Sequence, residues 1–208
     1  MRPCAGAPEL VARSLHRPPR DCAAQLRWVA AIDGPHDAAW APALDARDQL
    51  VARGIDAHVI ATAATTANHK VGQLAAAIER FGSGCDIVVV ADADVDLGAV
   101  DLDALITPLT GPAAAAACWS APVEDDGDSL GDRVSAAILS ASLQSFALLS
   151  ALDRRLFVGK LFAVRLDALA AAGGMSALGA HLGEDFELAR RLREHGGQVV
   201  GARQVARS

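Results

Sequence analysis

The first half of the chain alternates between apolar runs and segments with helical character. Three apolar runs, at residues 25–32, 56–60 and 87–91, predict β-strands. The segments between them, residues 38–53 and 70–81, favour helices, because apolar positions recur at helical spacing in the second and a glycine follows each of them. Alternation of strands and helices predicts an α/β fold with a mostly parallel central sheet flanked by helices.

The second half has a different pattern. After a short apolar segment at 107–121, residues 130–152 form a mainly apolar, helix-compatible stretch with almost no charge in its middle. A helix in the core is the favoured interpretation of this stretch, and contact with a membrane surface or a lipid acceptor is the alternative. A strand at 159–165, a short helix at 167–172 and a helix from 183 to 195 are predicted to follow.

Two carboxylates follow the third predicted strand. Asp92 and Asp94 come directly after residues 87–91, and the carboxyl ends of strands in an α/β sheet usually carry the ligand-binding residues. Carboxylate oxygens suit a hard divalent cation, and a cation held there can bind a diphosphate. The pattern therefore favours chemistry on a nucleotide-activated substrate.

The same acidic segment has other interpretations. A calcium loop is disfavoured, because Leu97 occupies the sixth position, which needs glycine, and because a strand precedes the segment. A phosphatase with an aspartyl nucleophile also places Asp-x-Asp after an apolar strand, with Asp92 as the nucleophile. Acidic residues that only mark a strand-to-loop turn are a further alternative.

Composition narrows the classes of function. The chain has 208 residues, enough for one domain with a full core, and its formal net charge of −6 without a basic cluster argues against nucleic acid as a partner. Its 4 cysteines form no Cys-x-x-Cys pair, which disfavours a zinc site and favours a reducing, cytoplasmic setting. Within these residues we expect neither a signal peptide nor a membrane-spanning segment.

Several short motifs occur in a characteristic order. They are Arg2-Pro3-Cys4-Ala5-Gly6, His36-Asp37-Ala38-Ala39, Asn68-His69-Lys70, Asp92-Ala93-Asp94, Gly159-Lys160, Gly173-Gly174-Met175 and Gly183-Glu184-Asp185-Phe186. Over nearly the whole chain, their order and spacing resemble the family 2 type inverting glycosyltransferases of the GT-A fold, most of all the ceramide glucosyltransferase branch with its bacterial hopanoid- and glycolipid-associated relatives. The resemblance implies one catalytic-type domain at 1–208, with a nucleotide-binding half at 1–106 and an acceptor-binding half at 107–208.

The resemblance also implies roles for individual residues. Asp37 matches an acid that contacts the uracil or ribose of the donor, and Lys70 matches a basic position near the nucleotide. Asp92 and Asp94 match a metal-binding pair, with Asp94 as the main ligand of Mg²⁺ or Mn²⁺ on the donor diphosphate. Asp185 matches the general base that deprotonates the acceptor. The implied reaction is inverting sugar transfer from a UDP-sugar to a lipid or other hydroxyl acceptor.

These residues also have plain structural interpretations. Asp37 and Asp185 each stand where a helix is predicted to begin, and an acidic residue there often only caps the helix and complements its dipole. For Lys70, the alternative interpretation is an ordinary solvated lysine with no role in binding.

Two departures from the family pattern set further expectations. Family members have a strand just ahead of the segment matching residues 2–6, and a Gln-x-x-Arg-Trp motif and transmembrane helices beyond the final acid. We therefore expect a domain truncated at both ends, without that inner strand. It is expected in the cytoplasm, with peripheral membrane contact through residues 130–152, whereas complete relatives are membrane-anchored. A non-catalytic GT-A remnant that binds nucleotide without turnover is the alternative function.

Overall fold

The computed structural model describes residues 1–6, 9–17, 19–20, 22–63, 65–123, 130–131, 133–134, 137–138 and 157–207. In this part of the chain, strands and helices alternate as far as the fourth strand. None of the described helices is long and apolar enough to cross a membrane.

The amino-terminal half forms a parallel sheet. β1 (Arg2–Cys4) pairs with β2 (Arg27–Ile32), and β2 pairs with β3 (Asp56–Ala61). All of β2 except its first residue is buried, as expected for a strand covered on both faces.

A second sheet has the order β4-β6-β5-β7. β6 (Leu161–Arg165) runs antiparallel to both of its neighbours, β4 (Ile87–Ala91) and β5 (Ala117–Val123). β7 (Val199–Arg207) lies parallel to β5 at the outer edge. The reversal of β6 separates two groups of parallel strands.

Met1 joins the two sheets. Its main chain bonds to Val89 O and Ala91 N of β4, which is the pattern of a parallel pair, and the chain continues directly into β1. The strands therefore follow one another as β3-β2-β1-β4-β6-β5-β7. The carboxyl ends of β1, β2 and β4 lie at one edge, where α/β sheets bind their ligands.

Helices cover this sheet and share its core. They are α1 (Glu9–Leu15), α2 (Trp40–Ala52), α3 (His69–Phe81), α4 (Leu102–Ile106), α5 (Leu166–Ala171) and α6 (Glu184–Glu194), with 3₁₀ turns at Leu97–Ala99, Thr107–Leu109 and Met175–Leu178. Leu74 of α3, Leu188 of α6 and Phe162 of β6 belong to one buried cluster. The same core thus anchors α3 and α6, which carry Lys70 and Asp185.

The predicted α/β class with a mostly parallel sheet is confirmed. The expected absence of an inner strand is wrong, because Arg2–Cys4 itself forms β1 between β2 and β4. This strand was missed because three residues are too few to show a periodic pattern. The helix predicted from residue 38 begins at Trp40, and α1 and β7 were not predicted.

The apolar stretch at 130–152 lies largely outside the described residues. Residues 130–131, 133–134 and 137–138 are helical. Leu130, Val134 and Ile138, four residues apart on one face, are 78%, 52% and 63% exposed. These three side chains are therefore not part of the core, while residues 139–152, on which the core interpretation mainly rests, lie outside the described residues.

Candidate active site

The two strand-end carboxylates each pair with a lysine. Asp92 and Asp94 lie in the acidic loop, residues 92–96, which follows β4 at the ligand-binding edge of the sheet. Lys70 Nζ lies 2.7 Å from Asp92 Oδ1, and Lys160 Nζ lies 3.0 Å from Asp94 Oδ2. Each carboxylate in this pair therefore has an ammonium group beside it.

Lys70 also connects the acidic loop to other parts of the site. Its ammonium lies 3.4 Å from Glu184 Oε1 and donates to Gly159 O at 3.0 Å. Burial alone would lower the pKa of Lys70, but the attraction of Asp92 and Glu184 outweighs it, so the pKa is raised. Burial raises the pKa of Asp92, and the neighbouring charge of Asp94 adds to this against the attraction of Lys70.

Asn68 fixes the start of the helix that carries Lys70. Its side-chain oxygen accepts from Val71 N at 3.2 Å as the N-cap of α3. The amide nitrogen of the same side chain donates to Glu184 Oε2 and to His181 O, both at 3.0 Å. One residue thus holds the amino ends of α3 and α6 together, which places Glu184 within reach of Lys70.

Asp185 belongs to the same cluster. Its Oδ2 accepts from Gly159 N at 3.2 Å and its Oδ1 from Phe186 N at 2.8 Å. Gly183 occupies the N-cap position of α6, and Asp185 lies in the first turn, where its charge also complements the helix dipole. Gly159 connects Asp185 to Lys70, since its main chain bonds to both side chains.

Asp37 stands apart from this cluster. Its Oδ1 accepts from Ala39 N at 2.8 Å, within the turn that leads into α2. Asp33, which the sequence analysis did not select, is closer to α3, because its oxygens contact Gln73 Nε2 at 2.9 Å and His69 Nδ1 at 3.1 Å. The structure therefore brings together Lys70, Asp92, Asp94 and Asp185, with Asp37 in a local turn.

The donor set fits a divalent cation that is shared with a diphosphate. No three or more His, Cys, Asp or Glu side chains among the described residues form a metal-binding group. Asp92 and Asp94 offer two hard carboxylates whose side chains are 32% and 33% exposed, so water and phosphate can reach them. Mg²⁺ in nucleotide enzymes is typically bound by one or two carboxylates together with phosphate oxygens.

Exposed apolar side chains flank the candidate base. Leu182, just ahead of α6, is 90% exposed, and Phe186, next to Asp185, is 58% exposed. A cavity of about 910 Å³ lies elsewhere, at the amino ends of β2 and β4, with Arg27, Ile87 and Val89 in its lining. Because ligands of α/β sheets bind at the carboxyl ends of the strands, this cavity is not the candidate site.

Sequence reasoning missed several residues of the cluster. Gly159, Lys160 and Glu184 lay within quoted motifs, but no role was given to them, and Asn68 was seen only as part of a turn. The signal available in the sequence was that all four residues lie within these motifs. Their contacts span separations of 26 to 116 residues, which periodicity does not reveal.

Comparisons with known proteins agree with this geometry. A family model described as glycosyl transferase family 21 matches residues 18–208. Among solved structures, glucosyl-3-phosphoglycerate synthase from Mycobacterium tuberculosis, in complex with Mn²⁺, uridine diphosphate and glucosyl-3-phosphoglycerate, is similar with a TM-score of 0.50 and 16% identity. The match covers 99% of this chain and 69% of that chain, and it identifies the GT-A fold. No curated protein sequence matches the chain.

Proposed function

The chain belongs to glycosyl transferase family 21, and we propose that it transfers a sugar from a UDP-sugar to a hydroxyl group of a lipid or similar acceptor, with inversion at the anomeric carbon. This is the reaction of a ceramide glucosyltransferase-like enzyme. We assign Asp92 and Asp94 to the donor diphosphate and its cation, Lys70 and Asp37 to the nucleotide, and Asp185 to the acceptor as general base.

The charges at the sheet edge support the donor assignment. A diphosphate is strongly anionic, so two bare carboxylates would repel it. Bound Mg²⁺ or Mn²⁺ would neutralise charge on the diphosphate as it leaves. Lys70 and Lys160 pair with Asp92 and Asp94 in the structure, and they would become available to phosphate oxygens once a cation neutralised these carboxylates. The solved synthase contains Mn²⁺ and UDP, which supports this choice of ligands.

The contacts of Asp185 support its role as the base. A carboxylate has about four lone-pair sites, and main-chain bonds from Gly159 and Phe186 occupy two of them, so oxygen remains available to an acceptor hydroxyl. The two bonds fix the carboxylate in place before the acceptor arrives. Attack by the activated hydroxyl on the face opposite the diphosphate would invert the anomeric carbon.

One observation carries this assignment. A continuous path of contacts runs from the candidate base to the acidic loop, from Asp185 to the main chain of Gly159, from there to Lys70, and on to Asp92. This path supports the proposal, because a direct transfer requires the residues assigned as base and as donor ligands to lie near one another.

Apolar side chains near the base favour a lipid acceptor. Leu182 and Phe186 expose apolar surface beside Asp185, and Leu130, Val134 and Ile138 form an exposed stripe on another helix. Such surfaces suit the alkyl chains of a lipid or the boundary of a membrane. Replacement of both Leu182 and Phe186 by Ser should reduce co-sedimentation with liposomes, and unchanged sedimentation would remove these residues from a membrane role.

A binding experiment tests the donor site. Calorimetric titration should show UDP binding that depends on Mn²⁺, and Asp94→Asn should abolish that dependence while the melting temperature stays near that of the wild type. Asp45→Asn, at an exposed carboxylate on α2, is the matched control and should change neither. Metal-dependent UDP affinity that persists in Asp94→Asn would overturn the assignment of the carboxylate pair.

A turnover experiment tests the acceptor site. With UDP-sugars and hydroxyl-bearing lipids as substrates, Asp185→Asn should remove turnover but keep UDP binding, because this carboxylate acts on the acceptor. UDP binding without turnover in the wild type would instead indicate the non-catalytic remnant. Covalent phosphorylation of Asp92 without nucleotide dependence would indicate the phosphatase.

A further inference from the structure

Arg2 is a buried cation directly beneath the acidic loop. Its side chain begins in β1, and the residue is only 1% exposed. Among the described residues, no carboxylate lies close enough to form an ion pair with it, although a buried charge normally needs such a partner. Hydrogen bonds from its guanidinium group to main-chain carbonyl groups hold Arg2 in this position instead.

The guanidinium contacts the main chain of the acidic loop. Its Nη2 lies 2.9 Å from Asp92 O and 2.8 Å from both Ala93 O and Val95 O, and its two N–H groups are shared among these carbonyl oxygens. Three carbonyl groups of one short loop therefore point inward at a single nitrogen. These carbonyl groups face the protein interior, while the partly exposed side chains of Asp92 and Asp94 pair with Lys70 and Lys160.

Ser14 of α1 completes this arrangement. Arg2 Nη1 donates to Ser14 O and Nη2 to Ser14 Oγ, both at 3.2 Å, and the Ser14 hydroxyl also donates to Ala93 O. Ser14 is 4% exposed, so its hydroxyl acts inside the protein. The acidic loop is thus held from below by two side chains that do not themselves reach the donor side.

The charge of Arg2 also matters to the loop. Burial lowers the pKa of Arg2, while the nearby charges of Asp94, Asp92 and Asp96 act in the opposite direction. A neutral side chain could fill the same space, but it could not offset the repulsion among carboxylates held close together. The guanidinium satisfies the carbonyl groups and compensates this charge at the same time.

We propose that Arg2, assisted by Ser14, is a positioning residue that holds the acidic loop in the shape that binds the cation and diphosphate of the donor. This role rests on the proposed function, since it concerns the same site. Neither side chain need touch the donor. Outer residues that orient metal-binding groups typically change metal affinity by about 10- to 100-fold when they are replaced.

The test compares Arg2→Lys and Ser14→Ala with the wild type. Lysine keeps the charge but loses the planar set of donors, so we expect Mn²⁺ affinity in the presence of UDP to fall by about tenfold. Loss of the single hydroxyl in Ser14→Ala should weaken it by about threefold. Arg165→Lys, at an exposed arginine paired with Asp167 far from the loop, is the matched control and should match the wild type.

A second measurement needs no ligand. In the metal-free protein, hydrogen exchange of amides in residues 92–96 should speed up in both variants, while β2 and β6 remain protected. A merely structural Arg2 would lower the melting temperature without changing this local exchange or the Mn²⁺ affinity of the folded protein.

The outcomes separate the two proposals. Unchanged exchange and unchanged Mn²⁺ affinity in a folded Arg2→Lys protein would overturn the role of Arg2. If Arg2→Lys does not fold, Ser14→Ala decides by the same measurements, because loss of one hydroxyl leaves the core intact. A wild type that binds no Mn²⁺ with UDP would overturn the proposed function, while the exchange data would still show whether Arg2 holds the loop.

Discussion

Removal of the Lys70 ammonium should change the affinities for metal and for nucleotide in opposite directions. The ammonium lies 2.7 Å from Asp92 Oδ1, and the Lys70 side chain is 25% exposed. A divalent cation bound to the same carboxylate at about 2.1 Å from oxygen would lie within about 5 Å of this ammonium. The two positive charges would therefore compete for Asp92 when no nucleotide is present.

Coulomb's law gives the size of this competition. At an effective dielectric constant of about 20, unit charges about 5 Å apart repel by about 3 kcal/mol, and a divalent ion doubles this. Water reaches the site and the lysine side chain can swing away, which leaves a net of about 1–2 kcal/mol. Lys70→Met should therefore strengthen the binding of Mn²⁺ alone by about five- to thirtyfold.

The effect on UDP should have the opposite sign. In the proposed complex Lys70 turns to the nucleotide, so its loss removes a charged contact and should weaken UDP binding at saturating Mn²⁺ by about tenfold. Electron paramagnetic resonance of free Mn²⁺ measures the first affinity, and calorimetry with UDP measures the second.

Two controls make this prediction decisive. Lys70→Arg keeps the positive charge and should keep weak binding of Mn²⁺ alone. Arg165→Met removes an exposed charge elsewhere and should leave both affinities unchanged. A Lys70→Met protein that is folded but binds Mn²⁺ more weakly, or binds UDP as the wild type does, would refute this reasoning.

Two further predictions concern α6 and the turn beside it. Gly159→Ala would place a Cβ 3.0 Å from Asp185 Cβ, so Asp185 must move by a few tenths of an ångström, and turnover should fall by about tenfold with UDP binding unchanged. The control is Gly201→Ala, whose new Cβ would meet only ordinary contacts near 3.8 Å. Equal turnover in the two variants would contradict the steric explanation. Hydrogen bonds from Arg190 and Arg191 lower the pKa of Glu187 from 4.5 to about 2. The stabilisation that these bonds give the folded protein should be complete above pH 4.5 and disappear as the pH falls toward 2. The urea midpoints of the wild type and Glu187→Gln should therefore differ at pH 7 and converge in acid. A difference that stays constant with pH would exclude ionised Glu187 and its arginine partners as the cause.

Local patterns in the sequence predicted the elements that depend on local physics. The strands at 25–32 and 56–60 and the helix at 70–81 agree with β2, β3 and α3 to within two residues. Burial of the strands selects apolar runs, and burial of one face of the helix imposes a helical period. The reversed direction of β6 was not predicted. An apolar strand has the same hydrophobic pattern in either direction, so its pairing with neighbouring strands determines its orientation.

The candidate site was predicted in part for the same reason. Asp92 and Asp94 were recognised because they end a strand, and Asp185 was selected through the resemblance of its motif. The contacts from Arg2 to Asp92 and from Asn68 to Glu184 join residues 90 and 116 positions apart. Such contacts follow from the tertiary fold, and a single sequence does not contain a local signal for them.

In the proposed function, the acidic loop serves both a metal and an anionic donor, and the cations around it make this combination physically reasonable. Asp92 pairs with Lys70, Asp94 with Lys160 and Asp96 with Arg17, while Arg2 lies beneath the loop. Before the donor arrives, the carboxylates of the loop are therefore compensated by side chains of the protein itself. In the proposed reaction, the divalent cation takes over this compensation and both lysines become available to the diphosphate. Binding then exchanges one set of ion pairs for another, so no charge has to be buried alone.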